Sequence, residues 1–320
     1  MYTQEKTTAQ YRHNLPQLSK DLFVTDGGIE TTLIFHEGLN LPYFASFDLL
    51  KDAFGYEILH KYFRTYAKMS QAYNVGLILE SATWRASHDW GMKLDYSTEA
   101  LAEINRKSIS LLEAIRSEYE TETNRIVISG CLGPRGDGYD PSELMTVDEA
   151  AEYHAAQIKT FQASNADLAT AITMTYAEEA IGVALVAQSV EMPVVISFTV
   201  ETDGCLPTGQ SLQQAIAQVD AATHNAPLYY MINCAHPTHF AEVLLTSEPW
   251  VSRIRGIRAN ASRKSHAELD EADSLDEGNP AELGDQCSQL QAALPNLNIL
   301  GGCCGTDHRH IRALCKALAA

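Results

Sequence analysis

Three cysteines occupy positions where sulfur could do chemistry. Cys234 ends the apolar run PLYYMINC (227–234), and Cys303 and Cys304 directly follow the run NLNILGG (296–302). If these runs are strands six and eight of a parallel barrel, their carboxyl ends converge at one rim. Three thiolates there match a catalytic zinc site, which uses three protein ligands and keeps a fourth position open. Soft sulfur donors also favour zinc over magnesium or calcium.

The adjacent cysteine pair has a simpler interpretation, namely two apolar thiols packed in the mouth of a barrel, since free cysteine is often buried. The surrounding residues favour the metal site instead. Gly301 and Gly302 precede the pair and Gly305 follows it, so the backbone can turn sharply and direct both sulfurs inward. Thr306 or Asp307 can then cap the next helix, whose N-terminus would favour the thiolate form.

Eight short β-branched runs alternate with helical segments along the chain. The predicted strands are 21–26, 75–80, 125–130, 167–173, 193–200, 227–234, 253–259 and 296–302. The predicted helices include 98–117, 147–163, 177–190, 210–222, 280–292 and 307–318. Nearly continuous apolar runs are typical of parallel strands covered on both faces. The pattern predicts an α/β protein with a single-domain (β/α)8 TIM barrel. A doubly wound open sheet is the alternative, but the chain lacks its glycine-rich GxGxxG turn.

Length and composition agree with one packed domain. The chain has 320 residues, of which 45% are apolar and 20% charged, close to the average for a globular protein. We divide it into a polar lead-in, residues 1–20, and a barrel, residues 21–320. Two long connections, 27–50 and 260–283, follow predicted strands one and seven, and so lie at the rim where barrel enzymes place their chemistry.

Charge and cysteine usage limit the partners. The formal net charge of −18 would repel a nucleic-acid backbone, and we find no local basic patch, so no nucleic-acid partner is expected. No stretch approaches the roughly 18 consecutive apolar residues of a membrane span, and the N-terminus does not resemble a secretory signal. We therefore expect a cytoplasmic protein whose seven cysteines are reduced. The sequence leaves the oligomeric state open, a homo-oligomer included.

The chain resembles the zinc-dependent homocysteine S-methyltransferases from about residue 20 to its C-terminus. The resemblance lies in four motifs: DGGIETTL (26–33), SGCLGPRGDGY (129–139), INCAHP (232–237) and GGCCGT (301–306). It implies a barrel in which Cys234, Cys303 and Cys304 hold a zinc ion. It further implies that the zinc binds the thiol of homocysteine and that a methyl group passes to this sulfur to give methionine.

The resemblance also implies a substrate-binding role for Asp26, beside Gly27 and Gly28 at the end of strand one. In the family this aspartate position helps to bind the amino group of homocysteine. The alternative is a turn aspartate that bonds its own backbone, as Asp-Gly sequences often do. Because strand ends of barrels favour chemistry, we assign Asp26 to the substrate.

The chain departs from the family pattern in strand four. Many members carry a glutamate there that contacts the substrate amine, whereas this chain has Ala171, Ile172 and Thr173. The departure leaves room for another small thiol or selenol as acceptor. Glu80, at the end of strand two, either compensates for the missing carboxylate or is an ordinary rim charge.

Two further residues are assigned to substrate binding. A cationic methyl donor is attracted by aromatic faces, and Trp84, directly after strand two, is the ring that we expect to contact it. Asn233 precedes the cysteine of strand six and either orients it or contacts the substrate.

Three hypotheses follow. The first is a zinc enzyme that methylates homocysteine from S-methylmethionine or S-adenosylmethionine, with betaine less favoured. The second keeps the chemistry and changes the acceptor to another small thiol or selenol. The third is a zinc- or thiol-binding protein without turnover.

Overall fold

Eight parallel strands close into a barrel in chain order, in a computed structural model that describes residues 9–272 and 274–318. Strands β1 to β8 span Phe23–Val24, Gly76–Glu80, Ile126–Leu132, Leu168–Met174, Val194–Thr199, Tyr230–Asn233, Ile254–Ala259 and Ile299–Gly302. The main helices α1 to α8 span Ala53–Tyr73, Thr98–Tyr119, Val147–Gln162, Ala177–Ser189, Leu212–Thr223, Pro237–Leu244, Pro280–Ala293 and His308–Leu318. The predicted single-domain (β/α)8 barrel is confirmed, and the open sheet is excluded.

The strands lie where the apolar runs predicted them. All seven residues of β3 and all seven of β4 are buried, which is why their sequences lack the alternation of a half-exposed strand. Strand β1 is the exception in length, because only two residues of the predicted 21–26 make strand pairs. Those two residues close the barrel, since Phe23 lies opposite Gly76 of β2 and Ile299 of β8.

The two long connections at the rim carry short helices rather than extended loops. The first contains a π-turn over Thr32–His36 and 3₁₀ turns over Pro42–Phe44 and Ser46–Lys51. The second contains one helical turn, His266–Asp270, which begins at a capping box on Ser265. Both connections therefore place helical turns at the carboxyl ends of the strands.

The described part of the lead-in contacts the opposite end of the barrel. Residues 1–8 of this predicted segment lie outside the described residues. Arg12 and Gln17 are buried, and the Arg12 guanidinium donates to the carbonyl of Ala166 at 2.6 Å. In the part of the chain that the structure describes, no helix combines the length and apolar character needed to cross a membrane.

Asp167 joins the lead-in to the barrel. Its carboxylate accepts from the backbone N–H groups of Tyr11 and Ile128, at 2.8 and 2.9 Å. Arg116 of α2 donates to the same carboxylate at 2.6 Å, and both charged side chains are buried. Removing one partner of a buried ion pair leaves an uncompensated charge, which costs more than the pair itself contributes.

Asp167→Asn should therefore lower the free energy of unfolding by about 3 kcal/mol. Glu103→Gln is the matched control, because Glu103 pairs with Arg106 at 2.8 Å on an exposed helix face. That change should cost less than about 0.5 kcal/mol. Urea unfolding of both variants measures the difference, and equal losses would contradict the buried-pair interpretation.

Candidate active site

The three predicted sulfur ligands meet at the carboxyl rim of the barrel. The Sγ atoms of Cys234, Cys303 and Cys304 all lie within 4.8 Å of one another, and those of Cys234 and Cys304 are 3.9 Å apart. A tetrahedral ion with metal–sulfur bonds of about 2.3 Å places its sulfur ligands about 3.8 Å apart. The donor type and the spacing of this cluster therefore fit a zinc ion.

The three thiols are joined by hydrogen bonds that shift their pKa values. Hydrogen bonds from the thiols of Cys303 and Cys304 hold the pKa of Cys234 well below its ordinary value. The hydrogen bond with Cys234 in turn raises the pKa of Cys303 and of Cys304. Hydrogen bonds within the cluster thus favour the loss of one thiol proton from the group of three.

The end of β6 directs Cys234 into the site. Cys234 has a φ of 55°, in the left-handed region, so the chain turns at the residue where the strand stops. Asn233, just before it, is buried, and its Oδ1 accepts from Thr173 N at 2.9 Å and from Ser197 Oγ at 2.6 Å. The amide of Asn233 is used inside the barrel wall and does not line the cavity, which favours the orienting interpretation of this residue.

The turn after β8 presents Cys303 and Cys304. The hydroxyl of Thr306 donates to the carbonyl of Cys303 at 2.7 Å, and Gly305 adopts a φ of 76° that a side chain would strain. Asp307 accepts from Arg309 N at 2.8 Å and so caps helix α8, one of the two predicted alternatives.

Gly27 and Gly28 let the β1 turn approach the β8 turn closely. Gly28 N donates to the carbonyl of Thr306 at 3.0 Å. A Cβ atom on Gly28 would lie 2.5 Å from the carbonyl oxygen of Cys303, too near for any side chain. Both glycines also line the cavity, so their backbone forms part of its wall.

A cavity of about 310 Å³ adjoins the three sulfur atoms. The predicted site residues on its wall are Asp26, Gly27, Gly28, Glu80, Trp84, Cys234, Cys303 and Cys304. The wall also contains residues that the sequence analysis did not assign: Glu30, Arg85, Tyr139, Arg258 and His266. This volume is at the small end of the range for ligand pockets, about 300–1,000 Å³.

Asp26 makes contacts across the barrel rather than within its own turn. Its Oδ2 accepts from the hydroxyl of Tyr62 at 2.9 Å, and its Oδ1 lies 2.6 Å from Arg258 Nη1. These contacts do not fit the interpretation as a turn aspartate. Arg258 lies one residue before the end of the predicted strand 253–259, but that run also contains Arg253 and Arg255, so the position alone did not single it out.

Glu80 lies buried on β2 and faces the same guanidinium. Burial raises its pKa to about 7, although the charge of Arg258 acts in the opposite direction. Its Oε2 atom has no hydrogen-bond partner among the described residues. Glu80 is therefore a buried acid with a free oxygen, not a solvated rim charge.

The ring of Trp84, which we predicted to contact the methyl donor, already stacks against a cationic side chain of the protein. The guanidinium of Arg85 stacks 3.9 Å from the centroid of Trp84 and 3.8 Å from that of Trp90. The indole Nε1 of Trp84 donates to the carbonyl of Ile172 at 3.2 Å. One face of this ring is thus occupied by the chain's own arginine. A different ring, Tyr139, approaches the sulfur cluster, with its hydroxyl 3.5 Å from Cys304 Sγ.

A cluster of three thiols at the carboxyl rim of a (β/α)8 barrel matches the ligand set of a catalytic metal site, at the end of the barrel where such enzymes place their chemistry. The sequence profile of the homocysteine S-methyltransferase family matches residues 23–318. The chain belongs to this family and is a thiol methyltransferase.

Individual relatives are more distant. A selenocysteine Se-methyltransferase from Brassica oleracea var. italica is 24% identical over 98% of this chain and 94% of its own length. The homocysteine methyltransferase MmuM from Escherichia coli superposes in its oxidized form with a TM-score of 0.75, at 19% identity, over 94% of this chain and 97% of that one. Its metallated form gives 0.72 at 17% identity, over 93% and 96%. These structures establish the shared fold.

The buried position of Glu80 predicts a pH effect on stability. Its pKa in the folded protein, about 7, lies above the ordinary 4.5, so ionising it between pH 5 and 8 destabilises the fold. Glu80→Gln removes that cost. The stability of the variant relative to the native protein should therefore rise from pH 5 to pH 8, by about 2–3 kcal/mol. Urea unfolding at both pH values measures it, and a difference that stays constant would contradict the assignment.

Proposed function

We propose that this enzyme transfers a methyl group from a cationic small-molecule donor, S-methylmethionine or S-adenosylmethionine, to the thiol of homocysteine and so produces methionine. The observation that carries the proposal is the convergence of three sulfur atoms beside a cavity whose wall also holds Asp26 and Glu80. Thiols and carboxylates on one cavity wall suit a small molecule with a thiol and an ammonium group.

Cys234, Cys303 and Cys304 would hold a zinc ion. When bound, zinc supplies the charge that keeps an acceptor sulfur in its thiolate form at neutral pH, where a free alkyl thiol is mostly protonated. The spacing of the three Sγ atoms and the softness of the ligands support this metal.

The proposed reaction balances without a general base. A lone pair on the acceptor sulfur forms a new carbon–sulfur bond while the donor's sulfur–methyl bond breaks. The electrons of that bond return to the donor sulfur, which leaves as a neutral thioether, and the acceptor's proton goes to solvent. The protein must therefore hold the two molecules in line, and such alignment can supply roughly 7–11 kcal/mol in ideal cases.

The charge of the cavity wall supports a cationic donor. Five carboxylate side chains and two guanidinium groups line it: Asp26, Glu30, Glu80, Asp137 and Asp270, with Arg85 and Arg258. Burial raises the pKa of Glu30 and of Glu80 to about 7, so at neutral pH these two acids are only partly ionised. The remaining excess of acidic groups favours a positively charged ligand. The modest cavity volume favours the compact S-methylmethionine over the nucleoside-bearing donor.

A selenol acceptor is the second candidate. It is favoured by the similarity to a selenocysteine Se-methyltransferase and by the absence of a carboxylate in β4, where Ile172 and Thr173 line the cavity. The third hypothesis, a binding protein without turnover, is disfavoured because family membership and the cavity beside the sulfur cluster both indicate an enzyme.

The test is an assay of the zinc-loaded enzyme with homocysteine or selenocysteine and each of three donors: S-methylmethionine, S-adenosylmethionine and betaine. We expect methionine from homocysteine and a sulfonium donor, detected by mass spectrometry, and little product from betaine. Faster methylation of selenocysteine would favour the second candidate. If no pair of substrates yields a methylated product, the proposed reaction is wrong.

Replacing a sulfur ligand should remove both metal and activity. Cys304→Ser and Cys234→Ser should each lower the zinc content well below one ion per chain and reduce kcat/KM at least about 100-fold. Cys205→Ser is the matched control, because Cys205 is a free cysteine that does not line the cavity. Elemental analysis and the methyl-transfer assay read the two effects separately, and full zinc content in Cys304→Ser would contradict the ligand assignment.

A further inference from the structure

A guanidinium group lies in the cavity wall between the strands that carry the sulfur ligands. Arg258 is on β7, opposite Asn233 of β6 and Gly301 of β8 in the strand register. Its carbonyl accepts from Cys234 N at 3.2 Å, so the backbone of the arginine and that of the first cysteine are directly joined. Arg258 also lines the same cavity as the three cysteines, so a ligand that fills this cavity meets both.

The hydrogen-bonding capacity of Arg258 is only partly used. The side chain is only 7% exposed. Its Nη1 atom pairs with Asp26 Oδ1 at 2.6 Å, and its Nε atom has no hydrogen-bond partner among the described residues. Its Nη2 atom donates to the carbonyl of Gly27 at the long distance of 3.5 Å. Buried donors without acceptors are costly, so this arrangement is suited to an anionic ligand.

An acceptor atom without a partner lies on the same cavity wall. Glu80 Oε2 is buried and has no hydrogen bond within the described part of the chain. Asp26 is held by the hydroxyl of Tyr62 on one oxygen and by Arg258 on the other. The cavity wall thus presents a free donor on Arg258, a free acceptor on Glu80 and the carboxylate of Asp26 beside them. A small zwitterion, with a carboxylate and an ammonium on neighbouring atoms, satisfies both sets.

We propose that Arg258 binds the α-carboxylate of the acceptor and thereby restricts the enzyme to thiols or selenols that carry a carboxylate. Glu80, with Asp26, receives the neighbouring ammonium, which explains how the site recognises an amino acid without a carboxylate in β4. This assignment rests on the proposed function, in which a small thiol is the acceptor.

A set of acceptors tests the assignment on the native enzyme. Homocysteine is compared with 3-aminopropane-1-thiol, which lacks the carboxylate, and with 4-mercaptobutanoate, which lacks the ammonium. Charge-assisted hydrogen bonds at a buried site predict a loss of roughly 10- to 100-fold in kcat/KM for the aminothiol. Equal values of kcat/KM for homocysteine and the aminothiol would overturn the assignment.

Variants of Arg258 link the discrimination to this residue. In Arg258→Gln, the values of kcat/KM for homocysteine and the aminothiol should lie within a factor of about three of each other. Arg258→Lys should restore part of the preference for homocysteine, because lysine keeps the positive charge but cannot form the bidentate contact of a guanidinium group. Arg255→Lys is the matched control, since Arg255 lies on the same strand but contacts Asn298 at the other end of the barrel. If Arg258→Gln does not fold, Arg258→Lys and the native acceptor series still decide the question.

Binding of thioethers separates carboxylate recognition from turnover. By calorimetry, methionine should bind the native protein and bind Arg258→Gln at least roughly tenfold more weakly. The binding of 3-(methylthio)propan-1-amine should be the same in both proteins. If the native enzyme methylates homocysteine but Arg258→Gln binds methionine as tightly as the native protein, the role of Arg258 is wrong and the proposed function stands. Arginine-dependent methionine binding without any methyl transfer would support the role and refute the proposed function.

Discussion

A close backbone contact between the turns after β1 and β8 is the constraint on which the site depends. Gly28 N bonds the carbonyl of Thr306, and the space beside Gly28 is filled by the carbonyl of Cys303. Because β1 contributes only two paired residues to the barrel, this contact adds to the joint between the first and last strands. This contact fixes the position of the cysteine pair relative to Asp26. It therefore also sets the distance between the sulfur atoms and the carboxylate of Asp26.

Buried charge is the second feature of the site, and it is compensated within a small volume. Asp26, Glu80 and Arg258 are buried on one cavity wall, where burial raises the pKa of Glu80 while the charge of Arg258 lowers it, and where the two acids hold up the pKa of Arg258 against burial. Such a group contributes little to stability, because desolvation offsets most of the attraction. Its retention in a barrel wall is better explained by recognition of a charged ligand.

Much of the fold and part of the site could be predicted from the sequence. Continuous apolar runs identified the strands, and the rule that strand ends carry chemistry identified Asp26, Glu80 and the three cysteines as residues of one rim. The rule did not select Arg258, because the run RIRGIRA contains three arginines of equal appearance. Arg253 contacts Asp220 and Arg255 contacts Asn298, both away from the cavity. Only the register of β7 distinguishes the third arginine.

The sequence by itself determined which chemical groups stand at the ends of which strands, because apolar periodicity and glycine placement are local properties. The tertiary structure alone decided which of these groups are free to bind a ligand. The face of Trp84 is taken by Arg85 and the amide of Asn233 by Thr173 and Ser197. The partners of Asn233 lie on other strands, far away in the chain, so its contacts depend on the closure and stagger of the barrel, which no local pattern encodes.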